Sequence, residues 1–159
     1  MLIAKDIVVR GEEGMRSLGA ALAKGLRAGD AVLLMGEMGM GKSVLARAVA
    51  RVFGVQGAMP SPSFTILQSY EAAVPVKHFD LYRLEDPAEF YEAGLDEEMD
   101  ARSISLVEWP EMADFRPEPR LEVRIVRGTA NDERVLNIES MGMDEERTQI
   151  LAELVASLS

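Results

Sequence analysis

Residues 36–43 read Gly-Glu-Met-Gly-Met-Gly-Lys-Ser, and this stretch decides the fold of the chain. It matches the phosphate-binding loop pattern G-x-x-x-x-G-K-[ST]. The apolar run 31–35 before it predicts a strand, and the run 44–50 after it predicts a helix. In a strand–loop–helix unit of this kind, the loop amides and the positive end of the helix dipole surround a phosphate. The sequence therefore predicts a nucleoside triphosphate site, in which Lys42 reaches the outer phosphates and the Ser43 hydroxyl binds magnesium.

Composition limits the class of protein. A chain of 159 residues is long enough for one domain with one core, and we expect a single domain over 1–159. The formal net charge of −10, without a basic run, argues against a surface that binds nucleic acid directly. Acidic residues cluster at 85–86 and 96–98, which is typical of a solvated face; a docking surface for a basic partner is the alternative.

The cysteine content and the hydropathy of the chain bear on its cellular compartment. The chain contains no cysteine, which excludes disulfides and thiolate zinc sites within it. The N-terminal residues lack the basic and apolar regions of a signal peptide, and no run of 18 apolar residues occurs. We therefore expect a cytoplasmic protein that does not span a membrane.

Hydrophobic periodicity predicts the remaining elements. Amphipathic spacing indicates helices over 12–27 and 145–158, and the helix after the phosphate loop is expected to end near residue 53. The acidic stretch 85–100 is predicted to form short helices and loop. Strict alternation over 121–126 and 135–138 predicts an antiparallel pair with one solvated face. Further strands are predicted over 7–9, 64–70, 76–81 and 103–108. Together these elements predict an α/β, three-layer P-loop NTPase-like domain with a mixed sheet and a C-terminal antiparallel hairpin.

Two predicted strands end in a carboxylate. Asp80 ends one and Glu108 ends the other. Near a phosphate loop, such an acid is expected to bind magnesium or to orient the attacking water. Capping of the next turn is the alternative for each.

The other polar residues leave alternatives open. The hydroxyl-rich segment 61–65, which contains Thr65, is either a switch that closes on the terminal phosphate or an ordinary turn. His78, the only histidine, is interpreted as a hydrogen-bonded structural residue, and Trp109, the only tryptophan, as a packing residue. Arg83, Arg102 and Arg134 are candidates for charge neutralisation, although most arginines form surface pairs of small energetic value.

The chain resembles the TsaE family of bacterial P-loop ATPases. The resemblance covers roughly residues 11–111 and lies in the order and spacing of four segments. These are the phosphate loop, Ser61-Pro62-Ser63-Phe64-Thr65, His78-Phe79-Asp80-Leu81-Tyr82-Arg83-Leu84 and Leu106-Val107-Glu108-Trp109-Pro110-Glu111.

The resemblance implies a function and partners. It implies a role in making threonylcarbamoyladenosine in tRNA, by binding ATP with Mg2+ and hydrolysing it together with TsaD and TsaB. The chain itself would then contact tRNA only indirectly. Ser43 stands where the family often has threonine, and Met40 where it often has a small residue; both are chemically tolerable.

The same resemblance implies roles for individual residues. Glu108 with Ser43 would hold magnesium, Asp80 would lie beside the metal, and Thr65 would make the switch-like contact. The catalytic set is therefore Lys42, Asp80, Glu108 and Thr65. The nucleotide-binding set is Glu37, Met38, Gly39, Met40, Gly41, Lys42, Ser43 and Arg134.

Three other functions compete with this one. A small-molecule kinase shares the phosphate loop, but its closing lid is usually basic, whereas the stretch 85–100 is acidic. A GTPase would carry an Asn-Lys-x-Asp motif, which the sequence lacks. A non-catalytic, ATP-dependent assembly switch uses the same residues and stays open as an alternative.

Overall fold

The fold is built on one mixed sheet with seven strands. The structure is a computed structural model and describes residues 1–158. The strands are β1 (Leu2–Arg10), β2 (Ala31–Met35), β3 (Leu67–Tyr70), β4 (Val76–Asp80), β5 (Ile104–Glu108), β6 (Arg120–Arg127) and β7 (Glu133–Met141). The helices are α1 (Gly11–Ala23), α2 (Lys42–Val52), α3 (Ala88–Glu92), α4 (Leu95–Glu98) and α5 (Glu145–Ala156), with a 3₁₀ turn at Pro110–Met112.

The strand order is β1-β7-β6-β2-β5-β4-β3. The four central strands β6, β2, β5 and β4 run parallel to one another, whereas β7, β1 and β3 pair antiparallel at the two edges. The predicted mixed sheet and C-terminal antiparallel hairpin are thus confirmed. Because parallel strands end at the same edge of a sheet, the carboxyl ends of β2, β5 and β4 meet there. This edge carries the phosphate loop, Glu108 and Asp80.

Two apolar layers cover the sheet. Along β2, Val32 and Leu34 face α1, α2 and α5, whereas Ala31 and Leu33 face the short helices and the 3₁₀ turn. β2 therefore reads as a continuous apolar run, which is typical of a parallel strand buried on both faces. The sheet with a helical layer on each face forms the predicted three-layer arrangement.

The C-terminal hairpin keeps the predicted alternation. Leu121, Val123 and Ile125 of β6 are buried, as are Leu136 and Ile138 of β7. Residues between them are more exposed, because successive side chains of a strand point to opposite faces. β7 is longer than the predicted 135–138, since its ladder with β6 continues to Met141 and its ladder with β1 to Glu139.

Several predicted boundaries are wrong, each for a physical reason. The strand predicted to begin at residue 64 begins at Leu67, because Ile66 adopts a left-handed conformation (φ 69°) and donates to the Pro62 carbonyl at 2.7 Å. The helix predicted to continue to residue 27 ends at Ala23, where turn hydrogen bonds replace the helical pattern. β1 begins at Leu2 rather than at residue 7, with pairing irregularities that hide its alternation.

The other predictions lie close to the observed elements. The stretch 85–100 contains the two short helices α3 and α4, as predicted. None of the helices in the described part of the chain is long and apolar enough to cross a membrane. The single domain predicted over 1–159 includes Ser159, which lies outside the described residues.

Candidate nucleotide site

The phosphate loop connects β2 to α2 and depends on close packing at two glycines. A side chain at Gly36 would place its Cβ 2.7 Å from the Ile125 carbonyl oxygen of β6. Gly41 has φ 103°, which favours glycine, and a Cβ there would lie 3.2 Å from Met15 Cε of α1. The loop therefore lies directly between α1 and the sheet. The first amides of α2 have no acceptor within the helix, so they are available to an anion.

A cavity of about 820 Å3 opens over this loop. Its volume lies within the range of small-molecule and cofactor sites. The structure brings most of the predicted site residues to its wall: Met38, Gly39, Met40, Gly41, Lys42, Ser43, Asp80, Glu108 and Arg134. Glu37 and Thr65 are exposed and do not line it. The Met40 side chain packs into the core beneath the loop.

Lys42 is held at the base of the cavity. It is only 4% exposed; its ammonium donates to the Gly36 carbonyl at 2.5 Å and lies 3.7 Å from the centre of the Trp109 ring. Burial lowers the pKa of Lys42, while the negative charges of Glu108, Glu111 and Asp80 oppose that shift. An ammonium has three N–H donors, so this group retains hydrogens for phosphate oxygens.

Trp109 is more than the packing residue predicted from the sequence. It follows β5 in a left-handed conformation (φ 58°), which is uncommon outside glycine. This conformation turns the indole over Lys42, and its ring centroid lies 4.9 Å from that of Tyr82. Trp109 therefore forms part of the cavity wall.

The two predicted carboxylates lie on adjacent strands. Asp80 of β4 is directly opposite Glu108 of β5 in the parallel register. Ser43 Oγ lies 3.1 Å from Glu108 Oε1 and 2.9 Å from Oε2. His78 Nε2 lies 2.6 Å from Glu108 Oε2. The prediction of a hydrogen-bonded histidine is confirmed, and its partner is a residue of the site itself.

Asp80 occupies a buried position beside this group. Its Oδ1 accepts the Tyr82 amide hydrogen at 3.1 Å. Burial raises the pKa of the Asp80 carboxyl; the Tyr82 amide opposes the shift and the Glu108 charge adds to it. A raised carboxyl pKa in a cleft is typical of groups that exchange protons with a substrate or water.

The oxygen donors fit magnesium. No group of three or more His, Cys, Asp or Glu residues that could hold a metal ion occurs within residues 1–158. The oxygen atoms that meet beside the loop are the Ser43 hydroxyl and the Glu108 carboxylate. Magnesium is usually bound by one or two protein oxygens together with phosphates and water, so this small donor set suits it.

Of the remaining predicted residues, Arg134 lines the cavity and Thr65 does not. Arg134 donates to the carbonyls of Asn131 at 2.7 Å and Glu133 at 2.9 Å, and reaches the Gly39 carbonyl at 3.5 Å. It thus connects the β6–β7 turn to the phosphate loop. Thr65 Oγ1 accepts from Gln68 Nε2 at 3.1 Å, outside the cavity wall. The nucleotide roles of Arg134 and Thr65 stay predictions.

Several cavity residues lie outside the predicted catalytic and nucleotide-binding sets. Phe64 lines the cavity although it is 85% exposed, and the Arg83 guanidinium lies 5.3 Å from its ring centre. Tyr82 lines it as well. Tyr82 and Arg83 follow Asp80 by two and three residues. Proximity to a predicted carboxylate was the available signal for Tyr82, and Arg83 is one of the predicted candidates for charge neutralisation. Met15 and Asp132 come from distant parts of the sequence, and no local pattern indicated them.

Comparisons with known proteins agree with this architecture. The family described as threonylcarbamoyl adenosine biosynthesis protein TsaE matches residues 9–136. This range contains the phosphate loop, both carboxylates and Arg134.

Individual relatives extend the match over most of the chain. The TsaE protein of Streptomyces coelicolor is 39% identical over 142 residues, covering 80% of this chain and 91% of the relative. The TsaE protein of Rickettsia conorii is 36% identical over 129 residues, covering 80% of this chain and 73% of the relative. The crystal structure of Bacillus subtilis YdiB superimposes with a TM-score of 0.71 at 26% identity, covering 99% of this chain and 97% of that one. The chain therefore belongs to the TsaE family.

Proposed function

We propose that this protein binds ATP with Mg2+ and hydrolyses it, as a subunit that supports formation of threonylcarbamoyladenosine in tRNA together with TsaD and TsaB. One observation carries the proposal: Ser43 and Glu108 are hydrogen-bonded to each other at the wall of a cavity of about 820 Å3 that Lys42 also lines, and the Glu108 charge acts on the Lys42 ammonium. Phosphoryl transfer to water requires little beyond such positioning and electrostatic stabilisation. Membership of the TsaE family supports the connection to tRNA modification.

Different residues of the site have different roles in the proposed ATP hydrolysis. Lys42 and the loop amides bind the phosphates, and Ser43 with Glu108 holds the metal ion. Magnesium, when bound, neutralises negative charge that develops on the phosphate oxygens. Asp80 has one oxygen engaged by the Tyr82 amide, which leaves the other to orient a water molecule.

The acidic character of the chain supports an indirect contact with tRNA. A net charge of −10 repels a polyphosphate backbone unless basic residues of another subunit intervene. The proposed partners would supply that contact, and this chain would supply the nucleotide site.

An assembly switch is a second candidate, supported by the segment 61–66. Ser61 and Ser63 line the cavity, and their hydroxyls lie 2.7 Å apart. The segment ends at Ile66, whose left-handed conformation is strained for a β-branched residue and whose carbonyl accepts the Asp80 amide hydrogen at 2.8 Å. A ligand that reorders this segment would therefore act on Asp80 as well.

ATP hydrolysis by the purified chain tests the main proposal. Turnover is measured for the chain alone and with the TsaD–TsaB pair, beside Lys42→Ala and the control Lys77→Ala. Lys77 pairs with Glu98 and Asp100 and does not line the cavity. We expect the pair to increase turnover, Lys42→Ala to reduce it by about 100-fold or more, and Lys77→Ala to leave it unchanged.

Two outcomes would contradict the proposal. Equal turnover by Lys42→Ala and the unmodified chain would show that the activity does not come from this site. Fast turnover that is indifferent to the pair would exclude the partner role. Glu108→Ala separates hydrolysis from a switch: if it abolishes turnover yet still supports the tRNA modification, the switch is correct.

A further inference from the structure

We propose that His78 is a positioning residue that fixes one oxygen of the Glu108 carboxylate, so that the other faces the cavity. The inference rests on the proposed function of the site, because it concerns how Glu108 meets a metal ion beside Ser43. His78 does not line the cavity and would not contact the nucleotide itself.

Strand register brings the two side chains together. In the parallel pair β4–β5, His78 lies opposite Leu106, and Asp80 lies opposite Glu108. Side chains at alternate positions of a strand share one face of the sheet, so His78 and Glu108 are diagonal neighbours on the face that carries α2. The 2.6 Å contact between Nε2 and Oε2 therefore follows from the ladder and requires no loop.

Burial of both side chains protects the hydrogen bond between His78 and Glu108 from water. His78 is 3% exposed and Glu108 is 4% exposed, so water does not readily replace either partner. An ionised carboxylate has no hydrogen to donate, so the tautomer of His78 with a hydrogen on Nε2 is the one that makes this bond to a charged Glu108. A buried carboxylate oxygen that lost this donor would have an unmet acceptor and would turn toward another one.

The two donors to Glu108 are not equivalent. Ser43 Oγ lies within reach of both carboxylate oxygens, at 3.1 Å and 2.9 Å, but a hydroxyl has a single hydrogen. The histidine bond, in contrast, goes to Oε2. With Oε2 fixed by His78, Oε1 has no bond to the histidine and lies within 3.1 Å of Ser43 Oγ. Outer partners of this kind hold metal-binding side chains in one orientation and strengthen metal binding.

The test measures affinity rather than turnover. A non-hydrolysable ATP analogue is titrated by calorimetry into the full chain, once with Mg2+ and once with EDTA. The ratio of the two dissociation constants reports the metal-dependent part of binding. The variants are His78→Gln, whose amide nitrogen reaches the position of Nε2, and His78→Asn and His78→Leu, which place no donor there.

The control is Val76→Ala on the same strand and face. Val76 is fully buried, so its truncation lowers the melting temperature without touching Glu108. We expect His78→Leu and His78→Asn to reduce the Mg2+/EDTA ratio by about tenfold or more. His78→Gln should restore most of it, and Val76→Ala should leave it unchanged.

The outcomes distinguish this inference from the proposed function. If the unmodified chain binds the analogue equally with Mg2+ and EDTA, the proposed metal-dependent ATPase and this inference both fail. If the unmodified chain discriminates and His78→Leu keeps its ratio, only the positioning role of His78 is overturned. It is also overturned if His78→Gln behaves like His78→Leu, or if the ratio simply follows the melting temperature across all variants including Val76→Ala.

Discussion

Replacement of Arg147 by methionine should strongly destabilise the fold, although Arg147 lies outside the region matched by the TsaE family. Arg147 Nη2 lies 2.5 Å from Asp30 Oδ2, and Nη1 lies 3.1 Å from Oδ1. The Asp30 side chain is 0% exposed and that of Arg147 is 11% exposed. The pair joins α5 to the residue immediately before β2, the strand that leads into the phosphate loop.

The magnitude follows from the burial of Asp30. Removing one partner leaves a carboxylate in the interior without its two guanidinium donors, which costs about 3–5 kcal/mol of the free energy of unfolding. In a chain of this size about 1 kcal/mol corresponds to roughly 2–4 °C, so we expect the melting temperature to fall by about 6–20 °C. Asp30→Asn should retain the bond from the Arg27 amide, which is 2.8 Å long, but lose the charge.

Urea unfolding followed by circular dichroism tests this as a double-mutant cycle. The double variant Asp30→Asn/Arg147→Met should be more stable than the sum of the single losses predicts, by about 2 kcal/mol or more. Arg16→Met is the control, because the only ion pair of Arg16 within residues 1–158 is the exposed one with Glu12. Its loss should change stability by less than about 0.5 kcal/mol. A loss below about 1 kcal/mol for Arg147→Met, or strict additivity in the cycle, would refute the reasoning.

Two further predictions concern the phosphate loop and its neighbouring carboxylate. Gly36→Ala would bring a Cβ to 2.7 Å from the Ile125 carbonyl oxygen, so the backbone must move. We expect the free energy of unfolding, measured with urea, to fall by about 1–3 kcal/mol. An unchanged stability would contradict the described packing. Burial raises the pKa of Asp80, so the folded state holds this proton more tightly than the unfolded state does, and the resulting stability is lost as the pH rises through the folded pKa. Asp80→Asn keeps an acceptor for the Tyr82 amide. It should therefore gain stability relative to the unmodified chain as the pH rises from about 3 to about 7. If the difference in unfolding free energy between the two proteins does not vary with pH, the prediction is contradicted.

The sequence predicted the parts of the site that depend on local order. The phosphate loop uses backbone amides whose positions follow from glycine spacing and from the start of a helix, so residues 36–43 identified it directly. Asp80 and Glu108 each end an apolar run, and parallel strands bring such ends together. Neither conclusion required knowledge of side-chain contacts.

The parts that the sequence did not predict depend on tertiary contacts. Ile66 is β-branched and favours strands, yet the hydrogen bonds to the Pro62 carbonyl and from the Asp80 amide hold it in a left-handed turn. The His78–Glu108 bond depends on the register between β4 and β5, which residue spacing within either strand leaves open. The left-handed turn that places Trp109 over Lys42 likewise follows a buried strand. No glycine stands at that position to indicate the turn in the sequence.

The position of Trp109 has a practical consequence. It is the only tryptophan in the chain, so the indole fluorescence of the protein comes from one ring at the candidate nucleotide site. That ring lies 3.7 Å from the Lys42 ammonium. A phosphate that draws the ammonium toward itself changes the electric field across the indole, and with it the emission wavelength. The chain thus carries an intrinsic spectroscopic probe of the proposed phosphate contact, which can be followed in rapid-mixing experiments without a label.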